Sequence, residues 1–152
     1  MKQYMKQALV LAEKAGALGE IPVGAVVVKD GEVIATGHNR RETDKTALGH
    51  AEIEVINKAC EKLGRWRLDD CELYVTLEPC PMCAGAIINA RLKKVVFGAF
   101  DKKAGSCSDD SVINLFNLPY NHTPEVWAGI CEQECSAVLT SFFENLREKG
   151  NE

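Results

Sequence analysis

Two short pieces of this chain, Gly49-His50-Ala51-Glu52 and Pro79-Cys80-Pro81-Met82-Cys83, constrain its fold more than any other feature, because their side chains make chemical sense only if they meet. One imidazole and two thiols are borderline-to-soft donors. Such a set suits Zn²⁺ over Mg²⁺ or Ca²⁺, which prefer oxygen. Three protein ligands leave the fourth position of a tetrahedral zinc to water or substrate, the catalytic rather than the structural arrangement. The fold must therefore bring the chain at His50 against the chain at Cys80 and Cys83.

Spacing assigns the roles. If Pro79 stands at the first turn of a helix, Cys80 and Cys83 share one face near the positive amide end, where thiolate is favoured over thiol. His50 and Glu52 would diverge on a regular helix, but at a helix start one can ligate while the other reaches the open position. Glu52 then reads as a proton carrier and not a ligand. Zinc lowers the pKa of bound water from about 15.7 towards about 7, and a nearby carboxylate can pass a proton to a ring nitrogen and on to a departing amine. The implied reaction is hydrolytic loss of ammonia from an amidine-like carbon.

A Cys-x-x-Cys after the strand-like Val75-Thr76-Leu77 also fits a redox pair or a closed structural zinc site completed by another cysteine. His50-Ala51-Glu52 weighs against the redox pair, which needs neither a histidine nor a glutamate at a separate helix start. Cys60, Cys71, Cys107, Cys131 and Cys135 read as core or half-buried residues, with Cys131 and Cys135 at helical i, i+4 spacing. His38 and His122 carry no metal-ligand spacing of their own.

The hydrophobic share of 46% in 152 residues suffices for one domain, residues 1–152, with a core that needs no disulfides. No apolar run is long enough to span a membrane, and the start, Met1 to Lys6, lacks the pattern of a cleaved signal. Seven cysteines without a secretion signal point to a reducing cytoplasm. The net charge of −4 is opposite to the usual footprint of a nucleic-acid enzyme, so phosphate binding would need local patches such as Lys102-Lys103 or Arg147-Glu148-Lys149.

The pattern along the chain predicts a helix from residue 4 to about 18, ended by Gly16 and Gly19. A β-hairpin follows, Pro22–Val28 and Glu32–Thr36 about Asp30-Gly31. After a loop from Asn39 to Lys45, a helix runs from His50 to about Lys62. Cys71–Leu77, Cys80–Ala90 and Lys93–Phe97 form a β-α-β unit with parallel strands, whose carboxyl ends are where α/β sheets bind ligands. A loop from Gly98 to about Ser111, a helical turn at Val112–Phe116, a strand at Glu125–Ala128 and a helix from about Cys131 to Glu148 complete a five-stranded mixed sheet with helices on both faces.

At this level the chain resembles the cytidine deaminase-like superfamily, and within it the bacterial tRNA-specific adenosine deaminases. The H-x-E and P-C-x-x-C signature is that of zinc nucleobase deaminases, where the glutamate is the non-ligand acid/base. Further shared segments are Ile21-Pro22-Val23-Gly24-Ala25-Val26, Asn39-Arg40, Tyr74 to Cys80, Met82 to Ala86, Val95-x-Phe97-Gly98-Ala99, Asn121-His122 and Phe142-Phe143-x-x-x-Arg147. The resemblance implies a three-layer α/β/α fold and a homodimer with one Zn²⁺ per subunit. It also implies conversion of the wobble adenosine of a tRNA anticodon stem-loop to inosine. It casts Asn39 and the backbone of Ala51 as contacts to the extruded base, Asp101 and Lys103 as contacts to ribose and phosphate, and Asn121 and His122 as further substrate contacts. Phe142, Phe143 and Arg147 would touch the flanking nucleotides.

Two segments depart from the family pattern. Thr46-Ala47-Leu48-Gly49 replaces Asp-Pro-Thr-Ala before the histidine, and Cys107-Ser108-Asp109-Asp110-Ser111 replaces a Gly-Ser-Leu loop. Two added carboxylates would repel phosphate, an effect that salt partly screens. A free nucleobase or nucleoside of guanine, cytosine or adenosine type is therefore the alternative substrate.

Overall fold

The computed structural model describes residues 1–150. Its sheet has the order β2-β1-β3-β4-β5, where β1 is Gly24–Lys29, β2 Glu32–His38, β3 Cys71–Leu77, β4 Lys94–Ala99 and β5 Glu125–Ala128. β1 is antiparallel to both β2 and β3, while β3, β4 and β5 run parallel. The sheet is mixed, as the strand pattern requires.

Asp30 and Gly31 close the hairpin with φ of 52° and 79°. Both central residues of a type I′ turn need positive φ, which is why an Asp-Gly pair sits there. The first strand begins at Gly24 and not at Pro22. Proline cannot donate to a ladder, and a Cβ at Gly24 would strike the backbone of Ala8 and Ala12. That close approach seats α1 (Lys2–Ala17) on the sheet.

Strand residues alternate between two apolar layers. Ala25, Val27, Leu73, Val75, Val95 and Phe97 pack with α2 (Ala51–Leu63) and α3 (Pro81–Ala90). Val26, Val28, Tyr74 and Val96 face the other way, onto α1 and α4 (Glu132–Gly150). A sheet covered on both faces needs apolar residues in succession, and Val26-Val27-Val28 supplies them.

This topology collects the carboxyl ends of β2, β3 and β4 and the amino end of β1 at one end of the sheet. The N-termini of α2 and α3 lie there too, directly after the loop from β2 and the turn from β3. The helical turn expected at Val112–Phe116 is a 3-10 turn at Leu115–Asn117, capped by the Asn114 side chain. Val112 and Ile113 stay exposed, while Phe116 is buried and Leu115 packs partly against the core.

Candidate active site

His50 and Cys80 are both N-cap residues, in extended backbone at the heads of α2 and α3. Pro81, not Pro79, takes the first helical position, so Cys80 sits one residue outside the helix and Cys83 one turn in. Proline suits that position because its missing N–H would have had no partner in the helix. The Cys80 carbonyl still accepts from Ala84 N at 2.8 Å, and the His50 carbonyl accepts from Glu54 N at 3.1 Å. The backbones begin their helices while both side chains swing off the ends towards each other.

His50 Nδ1 lies 3.6 Å from Cys80 Sγ and 3.4 Å from Cys83 Sγ. All three ligand atoms lie within 4.8 Å of one another, a group that could hold a metal ion. Hydrogen bonding from Cys83, and then from His50, pulls the Cys80 thiol down to about 4, while the same contact and burial push Cys83 up. These contacts favour the thiolate form of Cys80. His50 is raised by its contact with that sulfur.

Glu52 is 4% exposed, two residues into α2. Burial pushes its carboxyl up to about 7, near the pH at which a proton is both taken and given readily. It lines a cavity of about 270 Å³ together with His50, Cys80, Asn39, Ala51 and Asp101. Ile21, Val23 and Leu77 supply apolar walls. The donor set, its burial and its exposure to this cavity fit a metal with one position turned to a ligand.

Of the residues expected to meet substrate, Asn39, Ala51 and Asp101 line this cavity. Asn39 is pinned at both ends of its amide, donating to Ile21 O at 3.2 Å and accepting from Arg41 N at 3.0 Å. Asp101 Oδ1 accepts from the amides of Lys103 and Ala104, each at 3.1 Å. Lys103 stands on that turn, exposed and outside the lining.

Asn121 and His122 lie elsewhere. They precede β5, and His122 Nε2 bonds Leu92 O at 2.7 Å, before β4 begins. That is the amino end of the parallel strands, across the sheet from the cavity. Phe142, Phe143 and Arg147 sit on α4, and among the described residues none of the three lines the cavity. Phe142 is half-buried in a groove with Gly16 and Pro22, behind the wall formed by Ile21 and Val23; Phe143 and Arg147 are exposed.

Two glutamates beyond this set hold the site together. Glu78, 3% exposed, accepts from Asp101 N (3.1 Å), Cys107 N (3.0 Å) and Ser108 Oγ (2.9 Å), tying the loop after β4 to the turn before Cys80. Gly105 makes room for it, since a Cβ there would run into the Glu78 carboxylate. Glu20, 1% exposed, accepts from Glu42 N (3.0 Å) and from the Thr43 amide and hydroxyl (both 2.6 Å), holding the loop that leads to His50. The one local signal for Glu78 was an acid directly before Pro79-Cys80; Glu20 had none.

Comparison with known proteins agrees with this geometry. The MafB19-like deaminase family matches residues 1–147. A Bacillus subtilis protein named tRNA-specific adenosine deaminase is 53% identical over 96% of this chain and 90% of its own length. This chain belongs to the family of tRNA-specific adenosine deaminases. A solved structure from work on A-to-I editing by tRNA:A34 deaminases superposes on this deaminase with a TM-score of 0.88, at 45% identity, covering 91% of this chain and 100% of that one. A guanine deaminase from Bacillus subtilis aligns with a TM-score of 0.62 and 48% identity, over 64% of this chain and 63% of its own. The deaminase thus shares its fold with enzymes named for different purine substrates.

Proposed function

We propose that residues 1–152 form one zinc-dependent deaminase domain that converts the wobble adenosine of a tRNA anticodon to inosine, acting as a homodimer in the cytoplasm. The observation that carries the chemistry is a buried Glu52 in the cavity that His50 and Cys80 also line, those two joined with the buried Cys83 in one donor group. The substrate is inferred from the close relative's name and from the make-up of the cavity wall. No residue of α4 among those described closes it, as a site for a free base would favour. All seven cysteines are unpaired, which suits a reducing compartment.

His50, Cys80 and Cys83 would hold the metal, which when bound supplies a Lewis acid and a water ionised at neutral pH. The remaining work falls to the chain. The adenine amidine carbon must be reached from outside the base stack, so the nucleotide is extruded into the cavity. Asn39, fixed by Ile21 and Arg41, presents its amide to the base edge, with the Ala51 backbone beside it. As the water oxygen bonds to C6, the Glu52 carboxylate takes a proton and delivers it to ring N1. It then carries a second proton to the departing nitrogen; the C6–N bond breaks, ammonia leaves and C6 keeps the oxygen as carbonyl.

Asp101 and Lys103 would meet ribose and phosphate at the mouth. Phe142, Phe143 and Arg147 on α4 would meet flanking nucleotides beyond the wall. Asn121 and His122, at the far end of the sheet, would reach a substrate only in the site of a second copy. A guanine-type free base is the second reading, favoured by the 48% identical guanine deaminase. Incubating the zinc-loaded protein with a wobble-adenosine anticodon stem-loop and with free guanine, cytosine and adenosine separates the two. Inosine in the stem-loop supports the first reading, and turnover of a free base alone replaces it with the second.

A further inference from the structure

We propose that Arg41 is the phosphate anchor of the catalytic cavity, selecting a nucleotide carried in a strand over a free base or nucleoside. The inference rests on the deaminase reading above and adds a residue that reads the substrate's backbone.

Among the described residues, Arg41 is the one lysine or arginine that lines the cavity. The ionisable oxygens sharing that lining belong to Glu52, Glu78 and Asp101, a set that alone would repel a phosphate. Arg41 is exposed, and among the described residues its guanidinium meets no carboxylate within 4.0 Å, whereas neighbouring Arg40 is committed to both oxygens of Asp44 at 3.0 Å. Two adjacent arginines thus have different fates. Arg40 folds the loop, and Arg41 is left free at the mouth.

The backbone beneath Arg41 is held tightly. Its N–H donates to Asn39 Oδ1 at 3.0 Å, and its carbonyl accepts from Thr46 N at 3.1 Å. Gly49 packs so closely that a Cβ there would lie 3.0 Å from Arg41 N and Cα. The next two residues are pinned by Glu20. A long cation on a fixed backbone, beside the Asn39 assigned to the base, is suited to an anion separated from that base by one sugar: the nucleotide's phosphate. A guanidinium can take two phosphate oxygens at once. A free base offers it nothing.

The test uses single-turnover deamination by the zinc-loaded protein across a salt series, with wild type, Arg41→Gln and Arg41→Lys. The substrates are a wobble-adenosine stem-loop and the same stem-loop with neutral methylphosphonates flanking that adenosine. Arg41→Gln should raise the half-saturating concentration about tenfold on the phosphodiester and reduce the slope of log affinity against log salt by about 0.7, one single-strand phosphate contact. Arg41→Lys should keep the slope, and the neutral linkage should erase the difference between wild type and Arg41→Gln. An unchanged slope in Arg41→Gln, or an equal loss on both substrates, overturns the role of Arg41 alone. A wild type that turns over only free bases removes the tRNA reading, and this proposal with it.

Discussion

A histidine, two cysteines and a glutamate divide the work of this site by where each stands on its helix. His50 and Cys80 are N-caps, so their side chains leave the helix ends and meet; Cys83 is one turn in and buried; Glu52 is buried without a place in the donor group. Glu52→Ala should keep zinc and the fold but lose turnover by roughly 10²–10⁴-fold, the usual worth of a positioned acid/base. Cys83→Ala should lose the metal itself, read as zinc per protein by atomic spectroscopy. These residues were legible in the sequence because ligand type and spacing are local facts. Glu20 and Glu78 were not, because each acts on amides about a score of residues away that only the fold brings near. The same holds for Arg41, whose meaning depends on which neighbours find a carboxylate.

Among the elements, the hairpin and the β-α-β unit were readable from Asp30-Gly31 and from apolar runs bounded by turns. Their ends were less so. β4 runs to Ala99, past the Phe97 expected from the pattern, because Ala99 still pairs with Leu77; Gly98 lies so close to α4 that a Cβ there would collide with Cys135 Sγ. Gly98→Ala should therefore destabilise the fold by about 1–3 kcal/mol through overpacking, with Gly98→Ala/Cys135→Ala recovering part of the loss in urea unfolding.

The loop from Asn39 to Gly49 depends on Glu20. Burial alone would raise its carboxyl, but the Thr43 hydroxyl and the Thr43 and Glu42 amides outweigh that and hold it below the ordinary 4.5. A depressed carboxylate stabilises the fold above its unfolded pKa, and the stabilisation is lost as pH falls through the folded value. Urea midpoints should thus fall as the pH drops below about 4.5, and Glu20→Gln should flatten that part of the dependence while lowering stability at pH 7. A variant with the wild-type acid profile would show that Glu20 is not the group titrating.

Across the whole molecule, the carboxyl ends of β2, β3 and β4 and the N-termini of α2 and α3 lie at one end of the sheet, and the cavity forms where they meet. No described helix is long and apolar enough to cross a membrane. The chain's net charge of −4 coexists with a cavity whose lining, among the described residues, includes the exposed Arg41, so global charge is a poor guide to what the mouth accepts. Asn39, Ala51 and Asp101, which the family resemblance implied as substrate contacts, line that cavity, whereas Asn121, His122 and the α4 residues stand away from it in one copy of the chain. The central claim is hydrolysis of a strand-borne adenosine, and the most direct measurement is to run the stem-loop reaction in oxygen-18 water, digest the product to nucleosides and weigh the inosine. The account predicts inosine carrying one labelled oxygen for each ammonia released. Unlabelled inosine, or no inosine from a folded, zinc-loaded protein, would contradict it.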